Sequence, residues 1–415
     1  MKNQVQCCIA GGGPAGMMLG VLLARAGVTV AVLEKHKDFL RDFRGDTVHP
    51  STMSIMDELG WLDEFLKLPH QKVREIAAQF GTVRYKIADF SHLPVKAPYI
   101  AMMPQWDFLN FLADKGRQYS GFALHMETDA RDLILEQDRV MGVIAHSPAA
   151  ESTIRAGLIV AADGRGSILR TKAGLKPDDF GAPMDVLWFQ LPRLQADTDQ
   201  TQARFDAGRI FIMLNRGGYW QCAFVIPKGG DAKIRAAGLE AFRASVAPLL
   251  PIESTRAASI TDWEQVKLLT VKIDRLKEWA RPGFLCIGDA AHAMSPVGGV
   301  GINLAVQDAV AAANLLAQPL RENRLTFADI QGVQARRAFP TRMIQKLQIF
   351  MQSQMIAPAL SGTTAPKPPL PLRIMISTPL LNRLPARLIG LGIRPEHVAR
   401  AIREGFPLPS GRGFG

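Results

Sequence analysis

Apolar and polar positions along the chain follow three rhythms, each predicting a different kind of element. Residues 5–10, VQCCIA, are almost wholly apolar, as a strand buried on both faces would be. A glycine turn then opens the apolar helix PAGMMLGVLLARAG, and a second buried strand, VTVAVL, follows. Buried runs recur at residues 158–162 and 284–287, each leading into a turn and a helix. The second rhythm is alternation. Val73, Ile76, Ala78 and Phe80, then Val83, Tyr85 and Ile87, describe a half-buried hairpin turning near Gly81. Another hairpin is expected around 124–146, and residues 183–227 hold strand-like runs joined by Gly217-Gly218, which predicts an antiparallel sheet.

The third rhythm is helical. It predicts a helix after Pro50 capped by Ser51 and ended at Leu59-Gly60, a helix opened by Pro104-Gln105, and helical residues 232–250. An alanine-rich helix from Ile302 and arginine-studded helices beyond 321 follow. Residues 260–271 read as a return to the first domain. The order predicts an α/β protein: a discontinuous nucleotide domain (1–70, 101–180 and 271–345), an inserted antiparallel sheet domain (71–100 and 181–270) and a C-terminal helical segment (346–415).

The first unit carries chemistry. Gly11, Gly13 and Gly16 fill G-x-G-x-x-G between strand and helix, with Pro14 and Ala15 inside the turn, and Glu34 with Lys35 ends the second strand, so the domain is expected to be Rossmann-like. Gly11 suits the tight turn, Gly13 the approach of a pyrophosphate, and Gly16 and Gly20 close packing of helix on sheet. Glu34 would accept ribose hydroxyls and repel a 2′-phosphate, which fits FAD or NAD and excludes NADP at this site. The strand at 158–162 ends in Asp163-Gly164, followed by Arg165, Ser167 and Arg170, an acid and arginines suited to a diphosphate. In residues 282–310, Gly288-Asp289 forms an acidic turn, and Pro296, Gly298, Gly299 and Gly301 lead into the helix through Ile302 and Asn303. Backbone N–H groups at such a helix start favour an anionic or polar ligand. Arg44 is a candidate phosphate or flavin contact, and His49, beside Pro50, reads as structural.

Composition changes this picture little. The 415 residues carry a net charge of +11, with arginines dispersed along the chain and not interleaved with aromatics, so no nucleic acid is expected as a partner. A basic surface suits an anionic cofactor or anionic lipid. No apolar run is read as long enough to cross a bilayer and no signal peptide is read at the start, which predicts a cytoplasmic protein, monomeric or homodimeric, with peripheral membrane contact as an option. Cys7, Cys8, Cys222 and Cys286 sit in apolar runs without metal spacing and read as small core residues.

Together, GGGPAG with Glu34, ADGRGS with Arg170, and IGDAAHAMSPVGGVGIN with Asp308 resemble the single-component, class A FAD-dependent aromatic monooxygenases, the family of p-hydroxybenzoate hydroxylase and the polyprenyl-methoxyphenol hydroxylases. The resemblance runs over roughly residues 4–345. It implies FAD as cofactor, NADPH or NADH as electron donor, and hydroxylation of an aromatic or polycyclic small molecule by O2 through a flavin hydroperoxide. By the same resemblance, Gly11, Gly13, Gly16 and Glu34 hold the ADP half of FAD, with Arg44 and Gln105 as further contacts. Asp163, Gly164 and Arg165 would serve FAD and the nicotinamide nucleotide, Asp289 the ribityl chain, and Pro296 to Gly301 the isoalloxazine ring. Met213, Tyr219, Gln221 and Pro296 are the expected substrate contacts, and His292 is expected to belong mainly to the turn. A halogenase or prenyl-chain reductase on the same scaffold is the alternative, although WQCAFVIP at 220–227 lacks the halogenase W-x-W-x-I-P spacing. A non-catalytic basic protein binding a membrane surface or nucleic acid is the reading from another class.

Overall fold

A computed structural model describes residues 4–40, 47–198, 200–364, 366–370, 373–374, 378, 381 and 383–405. The buried apolar runs become the centre of an eight-stranded sheet. Its path runs Ala280–Arg281, Phe284–Cys286, Glu151–Ala161, Gln4–Ala10, Val30–Leu33, Phe122–His125. The last five of these are mutually parallel. Their faces are covered by helices, among them Pro14–Arg25 and Gly301–Arg321, which is why the strands read as continuous apolar runs. The hairpin Asp129–Glu136 with Arg139–His146 extends this sheet from Glu151–Ala161.

The alternating segments make a second, seven-stranded sheet. Its order is Lys267–Leu269, Met184–Pro192, Tyr219–Pro227, Arg209–Asn215, Gln202–Asp206, Glu75–Phe80, Val83–Asp89, antiparallel except where Gln202–Asp206 meets Glu75–Phe80. Both faces are buried. One packs Trp220, Cys222 and Phe224 against Phe242 of the helix Leu239–Val246; the other packs Ala223 and Val225 toward Val297 and Ala359. Small antiparallel sheets join the two large ones: Thr47–Val48 and Gln71–Val73 flank Ile100–Met102, and Pro177–Asp179 pairs with Asp274–Leu276.

Four expectations need correction. The helix Pro50–Glu58 begins at the proline with His49 before it, so Ser51 is not its cap; a proline needs no N–H partner in the first turn. Residues 267–269 remain in the seven-stranded sheet, and the return to the parallel sheet comes only with Ala280–Arg281. The segment Val297–Arg321 is long and apolar enough to cross a bilayer, but most of it is buried within the fold, and it is a core helix. Residues 71–73 pair outside the seven-stranded sheet.

Candidate functional site

Four parallel strands end at one level. Ala10 pairs with Leu33 on one side and with Ala161 on the other, and Ala161 pairs with Cys286. Gly11, Glu34, Asp163 and Gly288 therefore emerge within two residues of the last pairings, along the carboxyl edge where an open parallel sheet receives its ligand.

The glycines at this edge have different tasks. Gly11 has φ 106°, and a Cβ there would lie 2.3 Å from the Ala162 carbonyl oxygen; at Gly16 it would lie 2.0 Å from that of Gly11. Sterics of the turn and of packing require both. At Gly13 a Cβ would meet nothing within 4 Å among the described residues. Its missing side chain leaves space at the amino end of Pro14–Arg25, whose first turn holds Pro14 and Ala15 and presents N–H groups for an anion. Glu34 is 8% exposed and accepts the N–H groups of Gly12 and His36, each at 3.0 Å, which fixes its carboxylate beside this turn; Lys35 is exposed.

The second and third motifs are tied together by arginines. Arg165 donates from Nε to Asp289 Oδ2 at 3.0 Å and from Nη2 to the Met294 carbonyl at 3.3 Å. Buried Arg170 holds the carbonyls of Ala290 at 3.0 Å and Arg165 at 2.8 Å. Asp163 accepts the Ile168 N–H at 3.0 Å through Oδ2, and burial pushes its carboxyl above the usual range. Among the described residues, Asp163 Oδ1 and Arg165 Nη1 are buried without hydrogen-bond partners. A buried acceptor and a buried donor beside a partly exposed ion pair match the hydroxyls and phosphates of a dinucleotide. Gly164 has φ 83°, and a Cβ there would meet nothing within 4 Å among the described residues. Gly288, with φ 58°, passes between the helices: a Cβ would sit 3.2 Å from that of Ala15 and 3.4 Å from that of Ala305.

The glycine loop is open in front and stitched behind. Among the described residues, a Cβ at Gly301 would meet nothing within 4 Å, and at Gly298 only Val300. Pro296 is half-buried, and Ile302 and Asn303 are buried in the first turn of Gly301–Arg321. Asn303 Oδ1 accepts the His49 N–H at 3.0 Å and the Thr52 hydroxyl at 2.7 Å, while the Thr47 hydroxyl donates to the Gly299 carbonyl at 2.8 Å. From the long helix Phe327–Met351, Gln348 Nε2 donates to the carbonyls of Ser295 at 3.0 Å and Val297 at 2.9 Å, and its Oε1 accepts the Ser295 N–H at 3.2 Å. Gln345 Nε2 reaches the Ala293 carbonyl at 3.1 Å.

Deeper still lies a buried ionic cluster. His292 Nε2 is 2.6 Å from Asp308 Oδ2, which also accepts the Gly288 N–H at 3.1 Å, and Arg337 Nε donates to Oδ1 at 2.9 Å. Burial raises the Asp308 carboxyl, but His292 and Arg337 outweigh it and hold the group below the usual range. His292 is 1% exposed and lies against the Trp279 ring, so it is occupied in holding the turn. His49 is fully buried with Nδ1 2.7 Å from the Ile389 carbonyl; burial draws its imidazole down to about 4 against a smaller opposing effect of that contact.

The remaining predicted residues divide. Tyr219 and Gln221 lie on the sheet face shared with Ala223 and Val225, the face that packs toward Val297. Gln221 is buried and accepts Arg216 Nε at 2.7 Å. Met213 is a correction: it pairs with Cys222 and packs with Phe211 and Trp220 in the opposite cluster, away from the glycine loop, because alternation along Arg209–Asn215 turns it there. Gln105 is half-buried at the start of Gln105–Arg117. Arg44 lies outside the described residues. All four cysteines are buried, and burial pushes the Cys8 thiol up to about 12, as befits core residues.

Residues 4–346 match the family described as FAD binding domain. The chain belongs to the class A, FAD-dependent aromatic monooxygenases. It is 31% identical over 354 residues to 6-methylpretetramide 4-monooxygenase from Streptomyces rimosus, covering 84% of each chain. Anhydrotetracycline hydroxylase from Streptomyces rimosus shares its fold with a TM-score of 0.74 at 21% identity, over 95% of this chain and 77% of that one. CmlS, a flavin-dependent halogenase, shares it with a TM-score of 0.71 at 19% identity, over 95% and 74%. The cofactor of this flavoenzyme is FAD, and the residues present fit it: an open pyrophosphate turn, an acid fixed beside it, partnerless buried groups at Asp163 and Arg165, and an open glycine loop.

Proposed function

We propose that the chain hydroxylates an aromatic, polycyclic small molecule, using NAD(P)H and O2, in the space between the glycine loop and the Tyr219–Gln221 face of the seven-stranded sheet. The observation that supports it best is the contact of Val297, inside that loop, with the Ala223 and Val225 face. In this reading residues 1–70, 101–180 and 271–345 hold FAD, and 71–100 with 181–270 cover the substrate. Bound FAD would supply the redox chemistry that passes one oxygen atom of O2 to the substrate. The chain's own residues have other tasks. Gly13 and the amino end of Pro14–Arg25 receive the pyrophosphate, Glu34 the adenosine ribose, and Asp289, oriented by Arg165, the ribityl chain. The N–H groups at the start of Gly301–Arg321 favour negative charge on the reduced ring, and the gap at Gly298 and Gly301 lets the ring approach backbone.

The sheet face supports the reading of an apolar, fused-ring substrate. Ile212, Ala223 and Trp188 are apolar, and Gln221 with Arg216 offers a polar pair at one end, an arrangement that fits a flat phenolic molecule. The similarity to an enzyme named 6-methylpretetramide 4-monooxygenase supports the same reading. The test is to purify the chain and add polycyclic phenols to the FAD-loaded protein with NADH or NADPH. Coupled consumption of reductant and oxygen, with a product heavier by one oxygen atom, is expected. Saturation of a prenyl substrate without oxygen uptake would give the reductase reading, a halide-dependent product the halogenase reading, and a colourless protein that cannot be loaded with FAD would overturn all three.

A further inference from the structure

The positive charge of this chain is less evenly spread than its scattered arginines suggest. Between Ile330 and Pro395 there are nine lysines and arginines and no aspartate or glutamate, so the remainder of the chain is nearly neutral. Within this span the helix Phe327–Met351 is apolar on two sides. One side, with Val333, Pro340 and Ile344, is buried against the cofactor domain. On the other, Phe339 is 40% exposed, Met343 37%, Leu347 36% and Phe350 49%. Their spacing of four, four and three residues sets them on one stripe.

Exposed Arg336, Arg342 and Lys346 border that stripe, and Arg394 lies over the Phe339 ring at 4.5 Å. Arg336 is paired with Glu396 at 2.6 Å, but neither Arg342 nor Lys346 has a carboxylate partner among the described residues. Further along the acid-free span, Leu370, Ile374, Leu381 and Leu384 are exposed too, the last between exposed Arg383 and Arg387. A soluble surface rarely leaves such a row of large apolar side chains bare.

We propose that this face of Phe327–Met351 docks the enzyme on a lipid bilayer bearing anionic phospholipid headgroups. The phenylalanines, methionine and leucine enter the boundary between headgroups and acyl chains while Arg342 and Lys346 meet phosphate. A second copy of the chain fits less well. A twofold dimer on this stripe would bring the unneutralised Arg342 and Lys346 of each copy together. Nucleic acid would find Met343 and Leu347 where stacking aromatics are needed.

The test uses the full, FAD-loaded chain and co-sedimentation with vesicles of phosphatidylcholine alone or mixed equally with phosphatidylglycerol. Binding is expected only to the mixed vesicles and should weaken as salt rises. Arg342→Glu with Lys346→Glu should lower partitioning by at least about fivefold for each charge removed. Phe339→Ser with Phe350→Ser should lower it as well, with the flavin spectrum and reductant oxidation unchanged; Met343→Gln with Leu347→Gln replaces that pair should it lose flavin. No binding to the mixed vesicles, or equal binding by both charge and apolar variants, would overturn the proposal. So would a wild-type dimer that the apolar variants convert to monomer, or retention of duplex DNA that anionic vesicles do not displace.

Discussion

His49 shows how far a single side chain departs from its reading in the sequence. Its position before Pro50 reads as structural, whereas burial and a carbonyl partner make it a proton-sensitive joint between the helix Gly301–Arg321 and Ile389. The folded imidazole titrates at about 4 against 6.5 unfolded, so the unfolded chain binds the proton first. The stability this contributes is present above 6.5 and is lost as pH falls from 6.5 toward 4, by up to about 3 kcal/mol. Urea unfolding of wild type against His49→Asn should show that acid slope flattening in the variant; equal slopes would refute it. Asp308, depressed below 3.8, adds a separate loss only at lower pH. Arg165 is the second case. The sequence marked it as a diphosphate contact, but its bond to Asp289 links two motifs 124 residues apart, a relation that no local spacing could disclose. Because the pair is a third exposed, Arg165→Met should cost under about 1 kcal/mol of apoprotein stability. Freed from its orienting partner, Asp289 should hold FAD about tenfold less tightly, measured by flavin fluorescence on titration.

At the scale of elements, what was legible followed from period. Continuous apolar runs gave the parallel strands, and alternation gave the antiparallel ones, because burial on two faces or one imposes those patterns directly. The seven-stranded sheet blurs the rule: both of its faces are covered, so Met213 could be placed on a strand but not on a face. The long helix Phe327–Met351 was legible as a helix, yet not as the support of the glycine loop. Its signal is Gln345 and Gln348, polar residues on a buried stripe, and a glutamine there gains its meaning only from the carbonyls opposite. Gln348→Leu should therefore behave unlike a surface change. It strands the Ser295 N–H and the carbonyls of Ser295 and Val297, and a loss of about 2–4 kcal/mol is expected in thermal unfolding. A slackened loop should also admit water, so more hydrogen peroxide should be released per reductant oxidised. A variant as stable and as well coupled as wild type would show that the loop holds itself.

For the whole molecule, the question is what binds the two large sheets and the last helices into one unit. The C-terminal stretch packs across the cofactor domain, and the contacts it makes there are specific. Arg25 Nε donates to the Ile402 carbonyl at 2.9 Å, Asn314 exchanges bonds with His397 and Ala399 at 2.8 Å, and Glu58 accepts the Val398 N–H at 2.7 Å. Glu396, 5% exposed, pairs with Arg336, and its N–H bonds Gln307. These residues reach four helices, Pro14–Arg25, Pro50–Glu58, Gly301–Arg321 and, through Arg336, Phe327–Met351, and the amino ends of the first three border the glycine turns. Buried Val398 and Ile402 would each contribute about 1.5–3 kcal/mol, and Glu396 lies 3.6 Å from buried Arg337, whose charge would lose that neighbour. Against a typical total of about 5–15 kcal/mol, removal of everything after Ile393 should take away much of the margin. The loss should be distinguishable from loss of a mere appendage. Since bound FAD stabilises only the folded chain, about 2.7 kcal/mol at a hundredfold excess over its dissociation constant, excess FAD should restore part of the melting temperature of the truncated chain. Glu396→Ala alone should lower the melting temperature in the same direction and by less. A truncated chain that melts with the full-length protein, with and without FAD, would mean that these helices hold their positions without the tail.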